Sequence, residues 1–205
     1  MTSQSFPRIY PITDRNLSGL SHTEQVKQLI DGGAMLIQLR EKELPRRDFF
    51  EDAKCCVEIA RAANVKILIN DRVDLAMALC ADGVHLGQDD LPPAEARKLM
   101  GGNAIIGFST HNLEQARQAL KLPVDYVAIG PIFATSTKKN PDPVIGIKGI
   151  KELRKIAGNK TIVAIGGINE YNLGEVFAAG ADSAAMIEAV VGAPSIVRTM
   201  RRFSR

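Results

Sequence analysis

The segment Gln38-Leu39-Arg40-Glu41-Lys42 carries the first legible chemistry of this chain. Gln38 and Arg40 stand two apart at the end of a short apolar run, and residues two apart on a strand point to the same side. An Arg directed inward needs an anionic partner, because burying an unpaired charge is costly. That partner is either a structural carboxylate, Asp14 or Glu41, or an anionic ligand; Lys42 adds a second cation and favours the ligand. Asp71 and Asp90 follow consecutive apolar runs. Carboxylates on adjacent strand ends can share a hard cation such as Mg²⁺, which is held by one or two carboxylates plus phosphates and water. The competing role is helix N-capping, for which Asp is well suited.

A second set of groups suits phosphate. Gly166-Gly167 lets a ligand approach the backbone closely, although a Gly-Gly pair is also a plain turn. Thr135, Thr137 and Lys138 offer donors to phosphate oxygens, or form a solvated loop. His111 reads as an acid or base, or as the start of a helix. His85 reads as a satisfied interior or interface residue.

These groups need a scaffold that gathers them at one end. Short, near-continuous apolar runs recur at residues 8–12, 35–39, 66–70, 83–86, 104–108, 125–129, 161–165 and 183–187. Such runs fit parallel strands buried on both faces. Amphipathic stretches lie between them, at 24–32, 46–63, 112–121, 169–179 and 195–203. Gly33-Ala34 and Gly180-Ala181 close two of these, as a left-handed helix cap requires. Pro92-Pro93 opens another. Eight strand–helix units imply a single (β/α)8 barrel, an α/β fold spanning residues 1–205. At 205 residues its loops must be short, since such barrels usually need about 250. In this fold catalytic groups sit at the C-terminal strand ends. The groups named above fall there, as do Thr13-Asp14, Asn70, Gln88-Asp89 and Ser109-Thr110.

Composition narrows the class. The 26 basic and 23 acidic residues leave a net charge of +3, too small an excess to argue for nucleic acid. The basic run 198–205 reads as a solvated terminal helix. Three cysteines without framework spacing do not suggest disulfides, and adjacent Cys55 and Cys56 should face different directions on a helix. With no long apolar segment for a membrane helix or leader, the expectation is a cytoplasmic protein with no membrane partner.

Taken together the motifs resemble the thiamine phosphate synthase family. The matching segments are Ile12-Thr13-Asp14, Gln38 to Lys42, Asn70 to Ala76 and Ala81 to Asp90. Gly107 to His111, Gly130 to Lys138 and Ile165 to Ile168 follow in the family's order. The resemblance implies a transferase that joins a hydroxymethylpyrimidine diphosphate to a thiazole phosphate and releases pyrophosphate. It implies that Gln38, Arg40, Lys42 and Asn70 bind the pyrimidine diphosphate and that Asp71 and Asp90 hold Mg²⁺. Ser109, Thr135, Thr137 and Lys138 would hold the diphosphate, and Gly167 the thiazole phosphate beside Ile187 and Glu188. Arg40, Lys42, Ser109 and Lys138 would be the catalytic set. The loop after the sixth strand would close over the site. Family members are often oligomeric, which allows a homo-oligomer here.

One departure stands out. The family's eighth strand usually ends in Val-Ser-Ala, and this chain has Ile187-Glu188-Ala189. A carboxylate then stands beside the expected thiazole phosphate. Two alternatives compete with the synthase reading: a thiazole tautomerase of the same superfamily, and a non-catalytic phosphate-binding relative. Retention of Arg40, Lys42, Asp71 and Asp90 argues against the first.

Overall fold

The computed structural model describes residues 6–135, 137 and 142–204. Its strands are β1 (Ile9–Pro11), β2 (Leu36–Leu39), β3 (Lys66–Asn70), β4 (Gly83–Leu86), β5 (Ile105–Thr110), β6 (Tyr126–Ile129), β7 (Thr161–Ile165) and β8 (Ser183–Met186). The helices α1 (Arg15–Ser18), α2 (His22–Asp31), α3 (Arg46–Ala62), α4 (Val73–Ala78) and α5 (Pro93–Met100) belong to the first half. In the second half lie α6 (Leu113–Ala119), α7 (Gly146–Ala157), α8 (Leu173–Ala178), α9 (Glu188–Val191) and α10 (Ile196–Phe203).

All eight strands are parallel, in the order β1-β8-β7-β6-β5-β4-β3-β2. The ring closes between β1 and β2 through the Ile12–Gln38 bridge and the Thr13 N–H donating to the Gln38 carbonyl at 2.9 Å. This is the expected (β/α)8 barrel. Strand alternation splits the core in two. One set of side chains packs outward under the helices, among them Ile37, Leu39, Ile67, Ile69, Val127 and Ile129. The other fills the barrel, with Tyr10, Ile12, Leu36, Leu68, Tyr126 and Val163. Phe6 plugs the lower end against Tyr126, ring centroids 5.0 Å apart.

Helix boundaries follow local chemistry. α2 starts two residues earlier than its apolar period suggests, because Ser21 and Glu24 form a capping box. α8 starts later than residue 169. Asn172 Oδ1 takes the Asn169 N–H and Asn169 Oδ1 takes the Tyr171 N–H, so side chains satisfy backbone that a helix would otherwise use. Gly33 adopts φ 92°, and the Ala34 N–H then reaches back to the Leu29 carbonyl. Cys56 is buried and Cys55 exposed, and burial pushes the Cys56 thiol up to about 12. Residues 198–203 of the terminal basic stretch lie in α10. It buries Ile196 and Met200, while Arg201 bonds the Asp31 carbonyl and Arg202 pairs with Glu170.

A clamp repeats at the N-terminal end of the barrel. Asp82, just before β4, accepts the Ile67 N–H on its carboxylate at 2.8 Å and returns its own N–H to the Ile67 carbonyl. Asp125, before β6, does the same with Ile106, and Asp182, before β8, with Ile162. Arg97 of α5 and Arg154 of α7 bond Asp125 and Asp182 and several loop carbonyls besides. The corresponding position before β2 is Met35, which is exposed and has no such carboxylate. Among the described residues no helix is long and apolar enough to cross a membrane.

Candidate active site

The loop leaving β2 is pinned before it presents any cation. Glu41 Oε1 accepts the N–H groups of Lys42 and Glu43, both at 2.7 Å, and of Leu44 at 3.1 Å. Its other oxygen lies 3.1 Å from His22 Nε2, and His22 Nδ1 lies 2.7 Å from Thr13 Oγ1. Burial works against the Glu41 charge, but the Glu43 and Leu44 N–H groups and His22 outweigh it and hold the carboxyl below its usual range. Burial pushes the His22 imidazole down in turn. Thr13 Oγ1 also accepts the Arg40 N–H at 3.2 Å. Thr13, His22 and Glu41 thus fix the backbone from which Arg40 and Lys42 extend. Sequence reasoning missed this trio as a unit, since only burial distinguishes it from surface polar residues.

Each cation already has a carboxylate. Arg40 pairs with Asp14 at 3.0 Å, not with Glu41, and Lys42 reaches Asp71 at 2.5 Å. Asp71, held at φ 62°, donates its N–H to the His85 carbonyl across the β3–β4 boundary. Asp90 turns back to accept the Gly87 N–H at 2.6 Å, and its side chain meets that of Asp71. Desolvation raises the Asp90 carboxyl, and the facing Asp71 raises it further. Neither residue caps a helix: α4 and α5 are preceded by Arg72 and Pro92, which make no side-chain cap bond. Two carboxylates brought together at a solvent-facing rim fit a hard cation. Among the described residues no third His, Cys, Asp or Glu joins them. Such a cation can take its remaining ligands from phosphate oxygens and water.

β5 runs to Thr110, past the expected residue 108, so Ser109 belongs to the strand and pairs with Ala128. Its hydroxyl contacts His85 Nε2 at 2.7 Å. Gln38 and Asn70 complete the inner rim on β2 and β3. Gln38 is almost fully buried and donates to the Tyr10 hydroxyl at 2.7 Å. His85 is the satisfied interior residue its strand position suggests, bonded on both ring nitrogens.

The far wall is built from β6 to β8. Gly166 and Gly167 have φ 101° and 64°. A Cβ on Gly167 would lie 2.4 Å from the Ala134 carbonyl oxygen, and one on Gly166 would lie 2.6 Å from Pro131. The glycines therefore admit the neighbouring loop, which bonds back through the Ile132 and Phe133 N–H groups; close backbone approach is needed here by the protein itself. Thr135 and Thr137 lie on that loop with their hydroxyls 3.4 Å apart. Lys138, and with it the expected closure of the loop after β6, lies outside the described residues. Ile187 is partly buried and precedes α9, so β8 ends at Met186, one residue short of the expected end. Glu188 is exposed in the first turn of α9. His111 links loops: Nδ1 lies 3.3 Å from the Gly130 carbonyl and 3.4 Å from Asp142.

A parallel barrel with cations and facing carboxylates on the β2–β4 rim and a glycine turn after β7 defines a barrel enzyme of phosphorylated small molecules. The comparisons name the family. The profile described as Thiamine monophosphate synthase matches residues 9–190. Thiamine-phosphate synthase of Chloroflexus aurantiacus is 45% identical over 196 residues, covering 95% of this chain and 90% of the relative. That of Pelotomaculum thermopropionicum is 47% identical over 197 residues, covering 94% and 88%. The structure of thiamine phosphate pyrophosphorylase from Pyrococcus furiosus superposes with a TM-score of 0.84 at 37% identity, covering 95% of this chain and 92% of that one. The chain belongs to the thiamine monophosphate synthase family. Its activity is that of a thiamine-phosphate synthase, a transferase whose substrates are a pyrimidine and a thiazole phosphate.

Proposed function

We propose how the mouth divides between the two substrates. The pyrimidine diphosphate lies over β2 to β5, with Gln38 and Asn70 on the ring and Arg40, Lys42 and Ser109 on the diphosphate. Thr135, Thr137 and Lys138 approach the same diphosphate from the loop after β6. The thiazole phosphate lies on the opposite wall, at Gly167, Ile187 and the start of α9. The observation that carries this division is the placement of charge: the two cations and facing carboxylates occupy β2 to β4, across the ring from the Gly166-Gly167 turn.

Asp71 and Asp90 would hold Mg²⁺, which when bound supplies a Lewis acid against the charge of the diphosphate. The pairing supports a cation: Arg40 is engaged by Asp14 and Lys42 by Asp71, while Asp90 faces Asp71 as a second carboxylate whose charge a hard cation would offset. The bond from the pyrimidine methylene to the diphosphate oxygen breaks, and its electron pair leaves with the oxygen. Arg40, Lys42 and Ser109 donate to that oxygen group as charge develops. Ring electrons stabilise the methylene cation, and the thiazole nitrogen lone pair attacks it. No proton is removed in forming the new bond, so no strong general base is required.

The test is formation of thiamine phosphate from the two purified substrates, with Mg²⁺ and in excess chelator. Asp71→Asn or Asp90→Asn should slow turnover at least about tenfold, or roughly 1.4 kcal/mol in the barrier. Full activity in chelator sinks the metal assignment, and absence of product from both substrates sinks the division of the mouth.

A further inference from the structure

A single hydrogen-bond chain runs through the barrel between two residues of the mouth. Gln38 Nε2 meets the Tyr10 hydroxyl at 2.7 Å, Tyr10 meets the Tyr126 hydroxyl at 2.9 Å, and Tyr126 meets His85 Nδ1 at 2.8 Å. His85 Nε2 then meets Ser109 Oγ at 2.7 Å. Gln38, Tyr10, Tyr126 and His85 are all 8% exposed or less. The chain crosses β2, β1, β6, β4 and β5, so no local element requires it. Gly107 of β5 makes room for it, since a Cβ there would lie 2.2 Å from the Tyr126 hydroxyl oxygen.

Proton counting gives the chain a direction. An amide nitrogen only donates, so Tyr10 accepts from Gln38 and must spend its one proton on Tyr126. Tyr126 must then donate to His85 Nδ1. A neutral imidazole accepting at Nδ1 carries its proton at Nε2 and donates it to Ser109. Acceptance at Nδ1 itself requires the neutral ring, since a protonated imidazole donates from both nitrogens. Ser109 is left as an acceptor toward the interior, with its own O–H directed away from His85. The opposite amide orientation of Gln38 reverses every bond. Ser109 would then spend its proton on His85 and offer only lone pairs to the mouth, which repel a phosphate oxygen.

We propose that Tyr126 and His85 are positioning residues, and that the chain they complete makes Ser109 a hydrogen-bond donor to the diphosphate. This rests on the assignment of Ser109 to the diphosphate made above. The same polarity leaves the Gln38 carbonyl oxygen as the ligand-facing atom, so a ring edge bearing an N–H locks the amide in the orientation that arms Ser109. Recognition of the ring and readiness of the distant hydroxyl are then one event.

Two measurements on the full chain test this. Nitrogen-15 NMR of the imidazole rings reports the His85 tautomer, with His85→Gln assigning its signals among the three histidines. Protonation at Nε2 is expected, and a ring protonated at Nδ1 overturns the proposal whatever the kinetics show. The second is a double-mutant cycle in turnover. Tyr126→Phe should lower kcat about tenfold with Ser109 present and hardly at all in the Ser109→Ala background, with the KM for thiazole phosphate unchanged. Equal losses in both backgrounds mean that Tyr126 acts through packing and overturn it. If Ser109→Ala alone is fully active, the assignment of Ser109 to the diphosphate fails, and the tautomer still decides the direction of the chain.

Discussion

At the scale of single residues the mouth is a set of charges held by neighbours that sequence does not flag. Arg40, Lys42, Asp71 and Asp90 are legible because charged types at strand ends are unusual. Their partners are not. Which carboxylate takes Arg40 was open between Asp14 and Glu41, and only the paths of the β1 and β2 exits decide for Asp14. Glu188 is the residue at which the resemblance departs from an expected serine. It is exposed at the first turn of α9, where a negative charge suits the helix dipole. A phosphate on the same helix start would meet like charge, worth about 1 kcal/mol at ~4 Å in water, or roughly fivefold in binding. Glu188→Ser should therefore lower the KM for thiazole phosphate several-fold at pH 8 and leave the diphosphate KM unchanged. An unchanged thiazole KM would show that the side chain points elsewhere.

His85 makes a prediction in pH. Burial pushes its imidazole down to about 4, from ~6.5 in the unfolded chain. Between these values the unfolded chain binds a proton that the folded chain excludes. The folded state is therefore most favoured by this residue above about pH 6.5, and the advantage fades as pH falls toward about 4. Over pH 6.5 to 5 the loss is about 1.6 kcal/mol. Urea unfolding of the parent chain should show that loss in excess of His85→Gln, the comparison removing what His22 and the carboxylates contribute. Parallel pH profiles for the two proteins would contradict it.

At the scale of elements, strand cores are readable and their ends are not. β3, β4 and β7 begin and end where the apolar runs do. β5 outlasts its apolar run because Ser109 and Thr110 keep pairing with β6 after hydrophobicity stops. The aspartate clamps were also invisible, since nothing in the sequence sets Asp82, Asp125 and Asp182 apart from any other aspartate at the start of a strand. They tie each even strand from β4 onward to the odd strand before it, at the end of the barrel remote from the mouth. Asp182→Ala removes an acceptor from the Ile162 N–H and from Arg154. The expected cost is about 2 kcal/mol, or roughly 4–8 °C in Tm for a chain of this size. Turnover per folded molecule should be unchanged. A melting curve within about 1 °C of the parent would show that water replaces the carboxylate without loss.

At the scale of the molecule, the eightfold repeat and the common placement of polar strand ends are what the sequence shows best. The internal chain from Gln38 to Ser109 lay hidden because its members are far apart in sequence. The seam between β1 and β2 has a consequence of its own. It lacks an aspartate clamp, and its strands meet at a bridge where the other neighbours form ladders. A hoop fastened everywhere but at one clasp breathes at the clasp, because local opening follows the sparsest bonding. Thr13, whose N–H grips the Gln38 carbonyl, should accordingly exchange its amide hydrogen faster than the buried amides of β6 and β7. Substrate diphosphate with Mg²⁺, by holding Gln38 and Arg40, should slow that exchange about tenfold while leaving β6 unaffected. Uniform protection around the ring would contradict this. The clasp includes the strand proposed above to hold the pyrimidine diphosphate, so on that proposal a filled mouth would also be a shut seam.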